Sequence, residues 1–303
     1  MLNESQIQEF HERGYLNAGK VLTDAEVEAL RDRLDCVMDE NGEAKPELLR
    51  NLSGSDIYVK IDDEDDDHMP TGVKMFASSV VVQIVNIWEA DSLFNAHMYN
   101  SQITAMVAQL CDTDVLRVWH DQIQYKPPRV GAKTGWHQDY PAWPILEPGD
   151  LISAWVALDD ATVENGCMSM VLGSHKWGIH RSPKSGQRGL ATGENFELSY
   201  NPELVPEGEV VEVVPMEVMA GEVAFHHCLT WHGSPKNPSE KKRRAIAVHY
   251  MPGYTRFVPK GGHVMGHRVE VKEGEVLKGK FFPTVWDNGP LPPAPLPTEQ
   301  QTV

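Results

Sequence analysis

The stretch Trp136-His137-Gln138-Asp139 decides how the rest of this 303-residue chain is interpreted. In a β-strand, residues i and i+2 point to the same face, so His137 and Asp139 can reach one metal ion together. The third ligand must come from elsewhere in the fold, and His232 fits because it sits where an apolar segment gives way to a Gly-Ser-Pro turn. Two imidazoles and one carboxylate leave half of an octahedral iron(II) coordination sphere open. The pattern therefore predicts a metal site formed by His137, Asp139 and His232.

An arginine follows the predicted metal ligands at a spacing that would place it near the metal. Arg243 lies eleven residues after His232 and opens the apolar segment Ala245-Ile246-Ala247-Val248. A loop of that length can return the chain as the neighbouring antiparallel strand, which would bring Arg243 beside the metal. A guanidinium matches a carboxylate by bidentate pairing. We therefore expect an organic acid co-substrate to bind between the metal and Arg243.

Composition and charge exclude several classes of protein. The net charge of −17 disfavours nucleic acid and acidic membrane surfaces as partners, which leaves a small-molecule substrate as the expected one. The chain contains no apolar run of about 18 residues and no secretory signal at its start, so a cytoplasmic location is expected. The four cysteines form no Cys-x-x-Cys pair and are expected to be reduced core residues. The oligomeric state is not indicated by the sequence.

The distribution of apolar residues predicts helices first and strands later. Gly14 is a plausible helix stop, and Thr23-x-x-Glu26 fits a capping box before a second helix. Short runs rich in β-branched or aromatic residues begin at about residue 115. A double-sheet β-roll with helices outside is therefore expected. We predict one domain over residues 1–288, mostly helical to 112 and β from 113, with a Pro-rich tail at 289–303. The predicted strands are Val115 to Tyr125, Leu151 to Leu158, Met168 to Leu172, Glu209 to Val214 and Ala245 to Tyr250.

Several loops, aromatic residues and histidines could serve either the structure or the site. The acidic run at 62–67 is interpreted as a solvated loop, and the segments 62–71 and 182–199 are candidates for a lid over the site. Aromatic residues near the ligands either form an apolar wall over the substrate or pack in the core. Most other histidines are expected to be packed or to support the ligands rather than bind metal. The aromatic residues are Tyr140, Trp143 and Trp231, and the histidines are His120, His175, His180, His226, His227 and His249.

Taken together, these motifs resemble the phytanoyl-CoA dioxygenase family of iron(II)- and 2-oxoglutarate-dependent oxygenases. The resemblance spans most of the chain. It is carried by Lys126-Pro127-Pro128 before the His137 motif, by 154–160 and Glu164-Asn165-Gly166-Cys167 in the middle, and by Phe225-His226, His232-Gly233-Ser234, Asn237 and Arg243 near the end. The resemblance implies a mainly β fold with flanking α-helices and a double-stranded β-helix core of the jelly-roll or cupin type.

The resemblance also implies roles for individual residues. His137, Asp139 and His232 would bind Fe(2+), and Arg243 would pair with the far carboxylate of 2-oxoglutarate. Ser234 would add a hydroxyl donor to that carboxylate, and Trp155 would help to line the co-substrate site. Gln124 is added because strand alternation points it toward the site. O2 would be the oxidant, with ascorbate as an additive that can stimulate turnover.

The expected activity is hydroxylation of an unactivated C–H bond in a small molecule or acyl thioester, with release of succinate and CO2. Halogenases of the family replace the carboxylate ligand with a small residue, so Asp139 favours hydroxylation. The alternatives are a non-oxygenase metal-binding β-roll (a cupin-like isomerase or a binding module), a zinc hydrolase and a family member without activity. Neither of the first two needs Arg243 and Ser234, and the complete motif set disfavours the third.

Overall fold

The computed structural model describes residues 1–38, 81–180, 205–294 and 296 in full, and the backbone of 48–51, 191–192 and 198–199. The acidic run at 62–67 and the candidate lid at 62–71 lie outside the described residues. The same holds for most of the candidate lid at 182–199 and for the end of the Pro-rich tail.

Five helices of the described chain pack on one side of the molecule. The first ends where Gly14 adopts a left-handed φ of 78° and its N–H donates to the Phe10 carbonyl. The predicted capping box is confirmed, because the Thr23 N–H donates to Glu26 Oε2 at 2.7 Å and the Glu26 N–H to Thr23 Oγ1 at 3.3 Å. The helices are α1 (Glu4–Arg13), α2 (Asp24–Met38), α3 (Ile87–Ala90), α4 (Ser92–Met98) and α5 (Ser101–Cys111).

The strands form a large and a small antiparallel sheet, plus two short pairs. The large sheet has the order β1-β12-β7-β14-β4-β3-β2, with β16 also paired to β4, and the small sheet has the order β11-β8-β13-β5. The bounds are β1 (Tyr15–Lys20), β2 (Leu48–Asn51), β3 (Val82–Val85), β4 (Val115–Lys126), β5 (Thr134–His137), β6 (Leu146–Glu147), β7 (Ile152–Ala157), β8 (Met168–Val171), β9 (Ala191–Thr192), β10 (Leu198–Ser199), β11 (Val213–Met216), β12 (Glu222–His227), β13 (His232–Ser234), β14 (Arg243–Pro252), β15 (Arg256–Phe257) and β16 (Thr284–Asp287).

Alternation along the large sheet separates two cores. On β14, Ile246 and Val248 point outward into the apolar cluster shared with the helices. Ala245 and Ala247 point inward, into a second cluster that includes Met168 and other residues of the small sheet. The space between the two sheets is therefore lined by the inner face of the large sheet, and the site is built there.

The mainly β, jelly-roll fold class is confirmed, and four of the five predicted strands lie close to their expected bounds. The strand predicted at 209–214 is wrong in position, because β11 begins at Val213 and pairs with β8. The first 112 residues contain β1, β2 and β3 as well as helices, and all three join the large sheet. The cysteines form no disulfide, but Cys36 is exposed rather than in the core. Among the described residues, no helix combines the length and apolarity needed to span a bilayer.

Candidate metal centre and its surroundings

The predicted ligands lie together at one end of the small sheet. His137 ends β5 and pairs directly with His232, which begins β13. Asp139 follows two residues after His137, and its Oδ1 lies 3.6 Å from His137 Nε2 and 3.7 Å from His232 Nε2. Two ligands that each sit about 2.1 Å from a common ion can be at most about 4.2 Å apart. The ligand atoms of these three residues therefore fit one metal ion, and no other such group is found in the described part of the chain.

Backbone contacts orient both histidines for this purpose. His137 Nδ1 lies 2.8 Å from the Gly135 carbonyl, and His232 Nδ1 lies 2.9 Å from the Thr230 carbonyl. A carbonyl only accepts hydrogen bonds, so each Nδ1 carries the proton, and each Nε2 directs a lone pair to the position between the three ligand atoms that a metal ion would take. Gln138 lies between His137, the last residue of β5, and Asp139, which begins the next turn, and its side-chain nitrogen donates to the carbonyls of Gly178 and Leu229.

The second oxygen of Asp139 is bound by groups of the large sheet. Asp139 Oδ2 lies 3.1 Å from His226 Nε2 and accepts a hydrogen bond from Ser153 Oγ, also at 3.1 Å. Burial alone would raise the pKa of Asp139, but His232 and His226 outweigh that effect and hold the pKa well below its ordinary range. The carboxylate is thus ionised, with one oxygen facing the metal position and the other fixed by the sheet.

An aromatic group adjoins this network. Ser153 Oγ also lies 2.7 Å from Nδ1 of His249, which is on the inner face of β14. The His249 ring packs against His120 at 4.6 Å and against Trp143 at 4.8 Å between ring centroids. Burial, followed by the effect of His120, holds the pKa of His249 well below its ordinary value, so the ring is neutral.

A cationic pocket lies at the other end of β14. Arg243 is 1% exposed, and its Nη1 donates to the Gly166 carbonyl at 2.8 Å. No carboxylate of the described residues pairs with it, and its buried Nε has no partner among them. Lys126 is directly opposite Arg243 in the β14–β4 register and is fully buried. Burial lowers the pKa of Arg243 to about 10, and burial followed by Arg243 lowers that of Lys126 well below its ordinary value. Two buried basic side chains with no carboxylate of the described residues beside them form a site for an anion, whose charge would favour the protonated form of both.

The polar residues predicted for the co-substrate adjoin this pocket. Lys126 Nζ donates to Ser234 Oγ at 2.5 Å and also contacts the carbonyls of Ser234 and Pro235. Trp155 Nε1 donates to Gln124 Oε1 at 3.2 Å, and the Arg243 guanidinium carbon lies 5.4 Å from the centre of the Trp155 ring. Ser234 and Pro235 belong to β13 and the turn after it, whereas the other residues are on the inner face of the large sheet.

The structure therefore gathers every residue predicted for the site. His137, Asp139 and His232 form the metal-ligand triad. The cationic pocket is formed by Arg243, Ser234, Trp155 and Gln124. Sequence analysis missed the contacts made by Lys126, Ser153 and His249. Strand alternation could have placed all three on the inner face, because they share it with Gln124 and Arg243. Of the three aromatic residues considered, Trp143 packs on His249, whereas Trp231 packs with Trp136 and His180.

Comparison with known proteins supports the same class. A family model described as phytanoyl-CoA dioxygenase (PhyH) matches residues 10–245. Phytanoyl-CoA dioxygenase domain-containing protein 1 of Bos taurus is 28% identical over 269 residues, which cover 82% of this chain and 90% of that protein. A probable alpha-ketoglutarate-dependent hypophosphite dioxygenase of Stutzerimonas stutzeri is 30% identical over 167 residues, or 52% of this chain and 55% of that protein.

Solved structures share the fold. The non-heme alpha-ketoglutarate-dependent carbocyclase SnoK from nogalamycin biosynthesis superposes with a TM-score of 0.67 at 25% identity, covering 93% of this chain and 96% of SnoK. The fold and the two-histidine, one-carboxylate group thus define a jelly-roll oxygenase of the 2-oxoglutarate-dependent class. Within that class, the chain belongs to the phytanoyl-CoA dioxygenase family.

Proposed function

We propose that this protein is an Fe(II)- and 2-oxoglutarate-dependent dioxygenase that hydroxylates an unactivated C–H bond of a small-molecule or acyl-thioester substrate. The balanced reaction converts R–H, 2-oxoglutarate and O2 to R–OH, succinate and CO2. The observation that carries the proposal is the pairing of a metal-ligand triad with a buried cationic pocket in which no carboxylate of the described residues lies. A metal-binding module or a hydrolase would have no use for such a pocket.

The triad residues hold the metal in this proposal. His137 Nε2, His232 Nε2 and Asp139 Oδ1 are the ligands, and their remaining polar atoms are bonded to the protein. Bound iron supplies the oxidising chemistry with O2 and 2-oxoglutarate, while the protein positions the reacting groups. Three protein ligands leave three positions open, enough for a chelating keto acid and O2. Asp139 occupies the position that halogenases leave open for chloride, which favours hydroxylation.

The cationic pocket holds the far carboxylate of 2-oxoglutarate. Arg243 has an unpartnered buried Nε with which to bind it. Lys126 Nζ occupies an acceptor position of Ser234 Oγ, so the hydroxyl proton of Ser234 is left to donate to the co-substrate. Trp155 and Gln124 line the pocket and are fixed to each other by their hydrogen bond.

Anaerobic reconstitution tests this function directly. Iron(II) and 2-oxoglutarate should together produce the weak visible absorption of a metal–keto acid chelate, and each alone should not. Addition of O2, with ascorbate to keep the iron reduced, should then release succinate, and a screen of acyl-CoAs, amino acids and other metabolites should identify compounds that stimulate this release. A protein that binds iron but gives no chelate would contradict the proposal.

The fate of the oxygen atom separates hydroxylation from related outcomes. A substrate found by the screen should gain one oxygen atom from 18O2. Related structures include the carbocyclase SnoK, and a cyclisation would instead remove two hydrogens without adding oxygen. An epimerisation would leave the mass unchanged. Either of these results would replace hydroxylation as the reaction while keeping the cofactor assignment.

A further inference from the structure

The hydrogen bonds around Asp139 fix the tautomer of a histidine that binds no metal. Ser153 Oγ donates to Asp139 Oδ2 at 3.1 Å, which uses the single hydroxyl proton of Ser153. Ser153 Oγ therefore accepts from His249 Nδ1, 2.7 Å away. Because the neutral ring has one proton, which is on Nδ1, His249 Nε2 carries a lone pair and can only accept.

This acceptor is buried and lacks a partner. His249 is 2% exposed, and its Nε2 makes no hydrogen bond to any described residue. Buried polar atoms in proteins are nearly always paired, so an orphaned one at a candidate active site indicates a ligand group that completes it.

The position of His249 indicates which ligand that is. Arg243 and His249 are six residues apart on the same face of β14, about 20 Å along a strand. In the proposed function the co-substrate extends from the metal toward Arg243. His249 is at the opposite end of this strand face from Arg243. The Ser153 hydroxyl connects it to the metal ligand Asp139, so it lies where the primary substrate would bind.

Aromatic rings surround His249. Trp143 and His120 pack against its ring in edge-on contacts, and His263 stacks on His120 with 5.6 Å between centroids. Trp119 in turn lies 4.9 Å from His263. Such a wall suits a planar or apolar group beside the atom that His249 binds.

We infer that His249 Nε2 accepts a hydrogen bond from an O–H or N–H group of the primary substrate, whose neighbouring apolar part packs against Trp143. This inference rests on the proposed function and narrows its substrate class. A molecule with a hydroxyl or amino group near the oxidised carbon satisfies the acceptor, whereas a plain acyl chain at that depth leaves it unpaired. His249 is therefore a specificity residue.

Nitrogen NMR on the full chain tests the tautomer and the acceptor role. The protein is labelled with 15N-histidine and loaded with zinc, a diamagnetic substitute for iron, and with 2-oxoglutarate. The His249 signals are assigned by their loss in His249→Asn. The unprotonated nitrogen should be Nε2, and it should shift upfield with p-cresol, which donates a hydrogen bond, but not with 4-methylanisole, which cannot. A protonated Nε2, or no response to saturating p-cresol, overturns the inference.

Two variants separate substrate contact from support of Asp139. In His249→Asn the side-chain nitrogen can still donate to Ser153, but nothing occupies the Nε2 position. In His249→Gln the side-chain oxygen reaches that position. Binding of p-cresol to the iron–2-oxoglutarate chelate, followed by the change in its visible band, should weaken about tenfold in His249→Asn and little in His249→Gln. The reverse order shows that His249 only supports Asp139 and overturns the inference. If the unmodified protein forms no chelate, the proposed function fails, while the zinc experiment still reports on His249.

Discussion

The two faces of β14 carry neighbouring residues with opposite roles. Arg243, Ala245, Ala247 and His249 face inward between the sheets, where charged, small and aromatic side chains leave room for ligands. The residues between them face the helices and form either apolar packing or, at Arg244, an ion pair with Asp159 whose Nε and Oδ2 are 2.9 Å apart. The inner face of β14 thus carries buried polar atoms without a hydrogen-bond partner among the described residues, at Arg243 and His249. The polar groups of its outer face, at Arg244 and Tyr250, are bonded within the protein.

Alternate residues of β14 therefore serve different purposes: those on the inner face contact ligands, and those on the outer face stabilise the fold. Adjacent residues are covalently linked, but their environments differ because successive side chains point to opposite faces. Changes on the inner face should therefore affect ligands with little effect on folding, and changes on the outer face should do the opposite. The following experiments test this separation, beginning with the largest effect.

Asp139→Ala should remove iron binding and turnover. Asp139 supplies the only carboxylate of the triad, so the remaining two imidazoles should bind iron(II) more than about 100-fold more weakly. Metal analysis after dialysis and substrate-dependent succinate release measure both effects. Asp114→Ala is the matched control, because Asp114 is exposed and the substitution keeps its backbone carbonyl, which accepts from the Asn288 N–H. Normal iron content in Asp139→Ala would remove this residue from the ligand set.

Arg243→Met should raise the 2-oxoglutarate concentration needed for half-maximal chelate formation by at least about 100-fold, because two charge-assisted hydrogen bonds to the carboxylate are lost. The free energy of unfolding without ligands should stay the same or rise, since the substitution removes a buried cation that has no carboxylate partner. Titration of the visible band and urea denaturation measure the two quantities. An unchanged 2-oxoglutarate requirement would refute the assignment of Arg243.

Arg244→Met is the matched change on the outer face. Arg244 Nε and Nη2 both donate to Asp159, at 2.9 and 3.0 Å, and the Arg244 side chain is 7% exposed. Loss of the pair leaves the largely buried Asp159 carboxylate with Arg31 Nη2 at 3.3 Å and should cost about 2 kcal/mol of unfolding free energy. The 2-oxoglutarate requirement of the folded protein should not change. If both arginine variants had the same effects, the separation of the two faces would be wrong.

Ile246→Ala should lower the free energy of unfolding by about 2–5 kcal/mol, because it opens a cavity in the core between β14 and the helices. Ile246→Val should cost about 0.5–1.5 kcal/mol, so the series should follow the number of methyl groups removed. Urea denaturation measures stability, and iron content per folded molecule should stay constant. A loss of iron that follows the loss of stability would couple the two faces.

The sequence could predict the local contacts of the site but not the contacts between distant strands. His137 and Asp139 are only two residues apart, so their approach is local even though Asp139 lies beyond the end of β5 and not in the strand that the sequence predicted. The helix ends at Gly14 and Thr23 follow from local capping, so these features were predictable. The contact of Lys126 with Ser234 joins residues 108 positions apart, and the Ser153–His249 contact joins residues 96 positions apart. Their partners depend on strand register, which a single sequence does not determine.

The two arginines illustrate the same limit. Arg243 and Arg244 are adjacent and chemically identical, and the sequence singles out Arg243 only by its distance from His232 and by resemblance to a family. In the structure Arg244 is 6% exposed and paired with Asp159 and Asp35. Its carboxylates come from α2 and from the segment after β7, so its burial could be known only once the sheet and the helices were assembled.

The stability of the outer, helical side should also depend on pH through a buried histidine. His97 in α4 is 6% exposed, and burial lowers its pKa to about 4 against the opposing effect of Glu26. In the unfolded chain the pKa of histidine is about 6.5, so between pH 6.5 and 4 the unfolded state binds the proton more readily than the folded state does. The neutral ring therefore imposes no cost above pH 6.5, and stability falls as the pH drops through this window.

His97→Met should reduce that acid-induced loss by about 2 kcal/mol between pH 7 and pH 5, because the substituted side chain binds no proton in either state. Urea denaturation at pH 7, 6 and 5 measures the slope, and His11→Met, at an exposed histidine of α1, is the matched control. The slope should not vanish, because burial also lowers the pKa of His227 to about 3 and that of His175 to about 4. An unchanged slope in His97→Met would show that the helical side takes up protons without unfolding, and that its packing on the sheet is looser than that of the inner face.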